Sequence, residues 1–341
     1  RDCRLSRGLG DVYKRQALVI AFTAQFIENI LPVHVIGGSV IALFIGMFLN
    51  TIIDTENSLK PGVRFTSKRL LKFAIILFGA SLNISIVLDV GRLSLYVMIF
   101  TLLTCFGGGY FIGKALGLNW KMSNLISAGT GICGGSAIAA LAPVIEAEDT
   151  DVAYALSATF LFDMLMIIAF PIMGRYLELS DMAYGLWAGT AVNDTSSVVA
   201  AGFAYSDAAG DFATMVKLTR TLTIIPVVLT FRMIYTRLEL KNSESSHIEK
   251  NFSIFSIIPF FILGFLAMVM LNSFGLISHD LSVSLKAISK FLMVAALAAI
   301  GLNTKFKDMK KAGINPMIHG FIISILVVIV AIIVIYFMGL V

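Results

Sequence analysis

A thirteen-residue pattern occurs twice in this chain, sixty residues apart, inside long apolar stretches. The first copy, AGTGICGGSAIAA, covers Ala128–Ala140 and aligns without a gap to AGTAVNDTSSVVA at Ala188–Ala200. The centres are rich in Gly or in Asn, Asp, Thr and Ser, which loosen a helix and are costly in hydrocarbon. Paired interruptions of this kind are typical of a transporter's substrate site. Close helix packing through small residues is the alternative, but it leaves Asn193 and Asp194 unexplained.

The composition excludes an ordinary soluble domain. Hydrophobic residues make up 58% of the chain, charged residues 14%, and the mean hydropathy is +0.90, whereas soluble domains carry about 25% charged residues. Apolar runs of more than about 18 residues recur to the end of the chain and predict transmembrane helices. We therefore expect an all-α fold, a polytopic transmembrane helical bundle. Three cysteines and four histidines without metal-ligand spacing predict no metal, no cofactor and no enzymatic activity.

The first sixteen residues, RDCRLSRGLGDVYKRQ, differ from the rest of the chain because they are charged and unpatterned. They are similar to translated sequencing-adapter sequence and do not have the arrangement of a signal peptide. We therefore interpret 1–16 as a non-native leader and 17–341 as a single transmembrane transporter domain. Without the leader the chain has 21 basic and 19 acidic residues, a net charge of +2, so its basicity does not indicate nucleic acid as a partner.

Eleven apolar spans are predicted, and the loops between them differ in charge. Sixteen basic residues fall in loops on one side, whereas the opposite loops hold Arg92, the acidic run 146–151 and the segment 206–211. By the positive-inside rule the N-terminus is cytoplasmic and the C-terminus is outside, in the periplasm. The predicted spans are 17–31, 34–53, 70–89, 93–113, 122–145, 152–174, 183–204, 211–231, 254–276, 284–302 and 317–340. We call 122–145 the first broken segment and 183–204 the second broken segment.

A fainter repeat relates spans two and three to spans nine and ten. Span three contains the run KFAIILFGASLN, which ends at Asn83, and the similar run KFLMVAALAAIGLN of span ten ends at Asn303. The copies are seven spans apart, and because successive spans alternate in direction, an odd separation makes the copies run in opposite directions. This is the arrangement of an inverted repeat. Chance recurrence in apolar sequence is the alternative. The two broken segments would instead run parallel, and the two repeats combine only if one broken segment is re-entrant.

Two cations, Lys217 and Arg220, lie three residues apart in span eight and so share one helix face. A cation deep in a bilayer normally faces a cavity or a partner. One interpretation is an anion-binding pair, since the planar Arg fork suits oxyanions. The other is a structural ion pair with Asp194 or Asp163, or snorkelling toward the cytoplasmic side.

The remaining candidates lie in or beside the two repeat copies. Backbone N–H groups at the glycines could approach an anion, hydroxyl groups could donate to it, and a carboxylate could bind a coupling proton or sodium ion. Asp163 serves equally well as a helix-packing partner, and Asp194 could instead neutralise Arg220. The predicted substrate-binding residues are Thr130, Gly131, Gly134, Gly135, Ser136, Asn193, Thr195, Ser196, Ser197, Lys217 and Arg220, and the predicted ion-coupling residues are Asp194 and Asp163.

The runs SAGTGICGGSAIAALAPVIEA, AGTAVNDTSSVVAAG, KLTRTL and KPGVRFTSKRLLKFAIILFGASLNI carry a resemblance to a known family. From about residue 34 to 341 the chain resembles the sulfate exporter family of bacterial membrane proteins (YeiH-like). The resemblance implies an inner-membrane secondary transporter related to the bile-acid and auxin carriers, with inverted repeats and helices broken at midmembrane.

Three functional hypotheses follow. The first is a secondary transporter that exports a small oxyanion such as sulfate across the bacterial inner membrane. The second is a sodium- or proton-coupled carrier of an organic anion, such as a sulfonate or carboxylate. The third, a membrane enzyme, lacks any nucleophile–base pair or cofactor motif. The expected partners are the small anion and the lipid bilayer, while the coupling ion and homo-oligomerisation stay open.

Overall fold

The computed structural model describes residues 69–241, 260–303 and 314–341, together with a few isolated residues before 50. Predicted spans one and two, most of the loop 54–72, and the leader 1–16 therefore lie outside the described residues. Within the described ranges the chain is helical throughout. The helices are α1 (Leu71–Phe78), α2 (Ile84–Leu103), α3 (Gly109–Ala115), α4 (Trp120–Ala128), α5 (Gly135–Leu141), α6 (Asp149–Tyr176), α7 (Asp181–Ala191), α8 (Thr195–Tyr205), α9 (Asp207–Leu222), α10 (Ile224–Lys241), α11 (Phe260–Ser273), α12 (His279–Asn303) and α13 (Ile314–Phe337).

Several of these helices are long and apolar enough to cross a membrane. By length and composition they are Ile84–Ala115, Thr150–Tyr176, Asp207–Leu238 and Ile314–Phe337, and Leu71–Ser81 and Phe260–Ser273 are shorter apolar helices. The longest two are composite: α2 continues into α3 through a wide π turn at Thr104–Gly108, and α9 continues into α10. The predicted all-helical membrane fold is confirmed.

The chain separates into two compact units. Of the described ranges, the first unit holds 69–89, 199–211 and 260–303, and the second holds 90–198, 212–241 and 314–341. In the first unit, serine hydroxyls tie α12 to α1 and to the turn that follows it: Ser289 donates to the Ala74 carbonyl at 2.7 Å and Ser282 to the Ala80 carbonyl at 3.0 Å. These contacts join spans three and ten, the pair that the faint repeat relates.

Two ion pairs connect α12 to the start of α9 within the first unit. Lys286 Nζ lies 2.5 Å from Asp211 Oδ2, and Lys290 Nζ lies 2.8 Å from Asp207 Oδ2. Both pairs are spaced by four residues on each helix, so they form a short ladder along facing turns. The lysines in the apolar span ten therefore have carboxylate partners.

In the second unit α3, α4 and α13 pack closely around small and polar side chains. Ser123 on α4 donates to the Gly109 carbonyl at 2.9 Å, and His319 Nε2 on α13 lies 2.9 Å from the same carbonyl oxygen. Close approach through glycine and serine is the usual packing of membrane helices. Gly109 is essential to this close approach, because a Cβ built there would stand 2.1 Å from Ser127 Oγ.

The first broken segment is a helical hairpin, and its prediction as a crossing span is wrong. A Cβ built on Gly129 would stand 2.8 Å from Ile138 Cδ1, although nine residues of continuous helix would separate the two by about 13 Å. Gly134, between them, has φ 63° and ψ −131°. The chain therefore enters along α4, reverses at Gly134 and returns along α5.

Contacts at the outer ends confirm the reversal. Lys121 Nζ donates to the Glu146 carbonyl at 2.7 Å, and Asn119 Nδ2 donates to Asp151 Oδ1 at 2.9 Å. The basic loop 114–121 and the acidic loop 146–151 consequently lie on the same side, not on opposite sides as predicted. If the first broken segment does not cross the membrane, every later loop lies on the side opposite to the predicted one, relative to the earlier loops. A second segment that also turns back would restore the predicted sides of the loops that follow it.

Two predicted boundaries also move, each because of a cap. Helical structure in span three ends at Ser81, and α2 begins at Ile84, where the Asn83 side chain accepts from Ser85 N at 3.1 Å. Arg92 therefore lies inside a helix and not in a loop. Likewise Ser206 Oγ accepts from Ala209 N at 3.0 Å, so α9 begins at Asp207 and includes the predicted loop.

Candidate functional site

The second broken segment comprises α7 and α8 and is interrupted at residues 192–194. The α7 helix ends at Ala191, and Val192 has the extended values φ −76° and ψ 137°. After the interruption, Asp194 Oδ2 accepts from Ser196 N at 2.9 Å and from the Ser196 hydroxyl. Asp194 thus caps the N-terminus of α8, where a carboxylate also complements the helix dipole.

Asp163, on α6, receives the backbone N–H groups of the same interruption. Its Oδ1 accepts from Asn193 N at 3.0 Å, and Asp194 N approaches both carboxylate oxygens, at 3.3 and 3.2 Å. The Asp163 side chain is buried. It therefore satisfies two backbone donors that the broken helix cannot satisfy itself.

The two interruptions meet in the second unit. We call Gly129–Gly134 the first tip and residues 192–194 the second tip. A Cβ built on Gly134 would stand 3.1 Å from the Asp194 Cβ and Oδ1. The absence of a side chain at Gly134 therefore allows the first tip to lie directly against the second.

Lys217 joins the two tips through backbone carbonyl groups. Its Nζ donates to the Ile132 carbonyl of the first tip at 2.8 Å, and to the carbonyls of Val192, at 3.0 Å, and Asn193 in the second tip. An ammonium group has three donors and no acceptor. All three donors of Lys217 are thus used, and its side chain is fully buried.

Arg220, one turn further along α9, binds carbonyl groups of the same two tips. Its Nε donates to the Gly131 carbonyl at 2.8 Å, one terminal nitrogen donates to the Val192 carbonyl at 3.0 Å, and the other donates to the Thr130 carbonyl. The Val192 carbonyl is shared with Lys217. Together the two cations bind five carbonyl oxygens in two short stretches of backbone.

This arrangement has a simple electrostatic origin. The C-terminal end of a helix carries roughly half a negative charge and exposes unpaired carbonyl groups. At both tips such an end is buried, where water cannot satisfy it, and a cation replaces the water. Within the described residues neither Lys217 nor Arg220 forms a salt bridge with Asp163 or Asp194, so the predicted structural ion pair is not formed. Direct contact of Lys217 or Arg220 with an anion stays a prediction.

The predicted site residues divide into a buried layer and an accessible layer. Ser136 is exposed, and Gly135, Asp194, Thr195 and Ser196 are half-buried. The remaining predicted residues are buried: Thr130, Gly131, Gly134, Asp163, Asn193, Ser197, Lys217 and Arg220. A ligand that approaches the tips therefore meets hydroxyl groups and one carboxylate before it meets the cations.

Two side chains at the tips are buried without a hydrogen-bond partner in the part of the chain that the structure describes. They are the Thr130 hydroxyl in the first tip and the Asn193 amide, both its oxygen and its nitrogen, in the second. Buried polar groups are nearly always hydrogen-bonded, and those that are not often mark a functional site. Both belong to the predicted substrate-binding set.

Comparison with known proteins identifies the family. The family model described as conserved hypothetical protein 698 matches residues 16–320. A UPF0324 membrane protein of Clostridium tetani is 56% identical over 320 residues, which cover 92% of this chain and 93% of the relative. The chain belongs to the UPF0324 membrane protein family. Another member, from Streptococcus pyogenes serotype M18, is 40% identical over 321 residues, with 92% and 93% coverage. A third, from Fusobacterium nucleatum, is 37% identical over 302 residues, with 84% and 86% coverage.

Membership of this family agrees with the apolar helices and gives the chain a membrane location.

Sequence reasoning missed the backbone part of the site, above all the carbonyl groups of Ile132 and Val192. The sequence does not indicate these carbonyl groups, because every residue has a carbonyl oxygen whatever its side chain. The only signal available was the pair of interruptions together with two uncompensated cations on one helix face.

Proposed function

We propose that this protein is a secondary transporter that exports a small oxyanion, such as sulfate, across the bacterial inner membrane. The observation that supports the proposal most strongly is the meeting of two interrupted helices whose tips are joined by Lys217 and Arg220. Interrupted helices with polar tips inside membrane-spanning sequence are the usual substrate site of secondary transporters.

The accessible layer supplies groups suited to an oxyanion. Ser136 and Thr195 each carry a hydroxyl group and are at least partly accessible, whereas the Ser196 hydroxyl already donates to Asp194. Hydroxyl donors bind oxyanions without requiring a free cation. The positive charges of Lys217 and Arg220 lie behind this layer, where they raise the local potential although carbonyl oxygens occupy their donors. In this proposal the substrate is bound by hydroxyl groups and stabilised by buried charge at longer range.

A second candidate is a sodium- or proton-coupled carrier of an organic anion. Asp194 favours it, because this half-buried carboxylate lies at the accessible side of the tips. A carboxylate that both caps α8 and faces a ligand could exchange a proton during transport.

Flux through the purified protein in liposomes tests the proposal. Vesicles loaded with radiolabelled sulfate should lose label faster than protein-free vesicles, and competition by a sulfonate and a carboxylate panel separates the two candidates. Thr195→Val, which removes one hydroxyl group from the accessible layer, should reduce the flux several-fold. Thr230→Val is a matched control, because Thr230 is exposed on α10 and donates to the Pro226 carbonyl of its own helix at 2.8 Å. Equal flux with and without the protein, for all tested anions, would reject the proposal.

A further inference from the structure

The set of hydrogen-bond acceptors around Lys217 is unusual for a lysine. Among the described residues its partners are all main-chain carbonyl oxygens, from Ile132, Val192 and Asn193, and include no carboxylate or hydroxyl oxygen. The other lysines with described ion pairs differ: Lys286 and Lys290 both face carboxylates. Lys217 is therefore held by dipoles and not by a counter-ion.

A bare alkali cation is commonly coordinated by a set of carbonyl oxygens of this kind. Unwound backbone and half-helix C-terminal ends commonly coordinate the sodium ion of secondary transporters, and rings of carbonyl oxygens replace the hydration shell of a monovalent cation. Here the carbonyls come from two separate tips, so whichever cation occupies the position also holds the tips together.

We propose that the Lys217 ammonium is a resident cation at a carbonyl site that would otherwise bind sodium or potassium. The two tips then assemble without a bound alkali ion. The chain supplies the charge permanently, because the Lys217 side chain is covalently attached and fully buried. Arg220 completes the arrangement by binding the carbonyls of Thr130 and Gly131, which Lys217 does not reach.

The formal charges at and around the two tips agree with this assignment. Lys217 and Arg220 contribute two positive charges, and Asp163 and Asp194, on the N–H side of the second tip, contribute two negative ones. Removing Lys217 leaves the carbonyls of Ile132, Val192 and Asn193 without this donor and the site one positive charge short. A small monovalent cation would correct both deficits at once.

Thermal unfolding of the full-length protein in detergent tests the inference. A thiol-reactive dye reports unfolding, because Cys105 and Cys133 are buried in the folded protein. The Lys217→Ala variant should melt below the wild type in choline, and its melting temperature should rise saturably by several degrees with sodium, potassium or ammonium at constant ionic strength. The wild type should melt at the same temperature in all four salts.

Lys290→Ala is the matched control, because Lys290 pairs with a carboxylate and not with carbonyl groups. It should show no preference for small cations over choline. If Lys217→Ala does not fold, Lys217→Gln, whose amide keeps N–H donors for the carbonyls, should show the same order of cations. The inference is overturned if choline stabilises these variants as well as the small cations do, if no cation stabilises them, or if sodium stabilises the wild type equally.

A consequence for transport rests on the proposed function, namely that sulfate flux by the wild type does not require sodium. The two ideas fail separately. Absence of flux with every anion rejects the proposed function and leaves the melting result intact. Equal responses to choline and sodium in Lys217→Ala reject the resident cation whatever the flux.

Discussion

Gly134 lies against Asp194, and this contact fixes where the two broken segments meet. A Cβ on Gly134 would stand 3.1 Å from both the Cβ and the Oδ1 of Asp194. The same glycine has φ 63° and ψ −131°, a conformation that L side chains rarely adopt. One residue therefore supplies both the reversal of the first broken segment and the space for the cap of α8.

Substitution of Gly134 should consequently be costly. Gly134→Ala combines backbone strain with a contact tighter than most Cβ atoms show, and we expect a loss of about 1–3 kcal/mol in the free energy of unfolding. Gly107→Ala is the control, because a Cβ on Gly107 would meet nothing within 4 Å. Melting temperatures in detergent compare the two variants, and similar values for both would contradict the assigned role of Gly134.

Removal of the Arg220 charge should not be compensated by removal of the Asp194 charge. Arg220 binds carbonyl groups and Asp194 caps α8, so the two side chains act independently. We expect Arg220→Gln to cost about 1–3 kcal/mol for each carbonyl group left without a donor, and the double variant Asp194→Asn/Arg220→Gln to lose about the sum of the single losses. A coupling energy within about 0.5 kcal/mol of zero is the expected result of the double-mutant cycle.

The ladder in the first unit provides the positive control for this cycle. Lys286 and Asp211 are in contact at 2.5 Å, so Lys286→Gln and Asp211→Asn should show a clear favourable coupling in the same assay. Recovery of stability by the Asp194/Arg220 double variant, comparable to that of the ladder pair, would mean that the two form an ion pair after all.

The meeting of the two tips could be predicted from the sequence, whereas the partners of Lys217 and Arg220 could not. Interruptions such as Asn193 in apolar sequence must find internal hydrogen-bond partners, because lipid offers none. A buried cation must likewise find an acceptor. A substrate anion, a carboxylate and a main-chain carbonyl can each accept from such a cation. A carboxylate is visible in the sequence and an anion in the identity of the ligand, whereas a main-chain carbonyl is visible in neither.

The sequence signalled the hairpin shape of the first broken segment only indirectly, because the conflict between the two repeats did not show which segment turns back. The positive-inside rule counts the Lys and Arg residues of the loops, and Lys121 lies in a basic loop whereas the run 146–151 has none, so it assigned them to opposite sides. In the structure they are partners. The first tip and the adjacent Gly135 together contain four glycines, and composition does not reveal that Gly134 is the one that takes the positive φ.

The two backbone N–H groups bound by Asp163 predict a graded effect of substitution. Asp163→Ala leaves the N–H groups of Asn193 and Asp194 without this acceptor, at a cost of about 1–3 kcal/mol for each. Asp163→Asn keeps one oxygen acceptor and should lose roughly half as much. Chemical or thermal unfolding measures the order, and an Asn variant as unstable as the Ala variant would show that charge, not hydrogen bonding, dominates.

The hairpin makes a topological prediction that differs from that of eleven crossing spans. Lys121→Cys and Glu148→Cys should react with a membrane-impermeant maleimide from the same side of the membrane, since residues 119–121 contact residues 146 and 151. Glu178→Cys should react from the other side, because Thr150–Tyr176 is long and apolar enough to cross. Labelling of right-side-out and inside-out vesicles gives the side for each position, and the unsubstituted chain gives the background from native cysteines.

Each outcome of this labelling separates the alternatives. If the first broken segment crossed the membrane, Lys121→Cys and Glu148→Cys would label from opposite sides, and the contact between Lys121 and Glu146 would have to break in the membrane. That contact is supported by a second one, since Tyr235 on α10 donates to the Glu146 carboxylate at 3.0 Å and stacks on Trp120 with ring centres 6.3 Å apart. Two independent links hold the outer ends of the hairpin together, and we therefore expect labelling of both positions from one side.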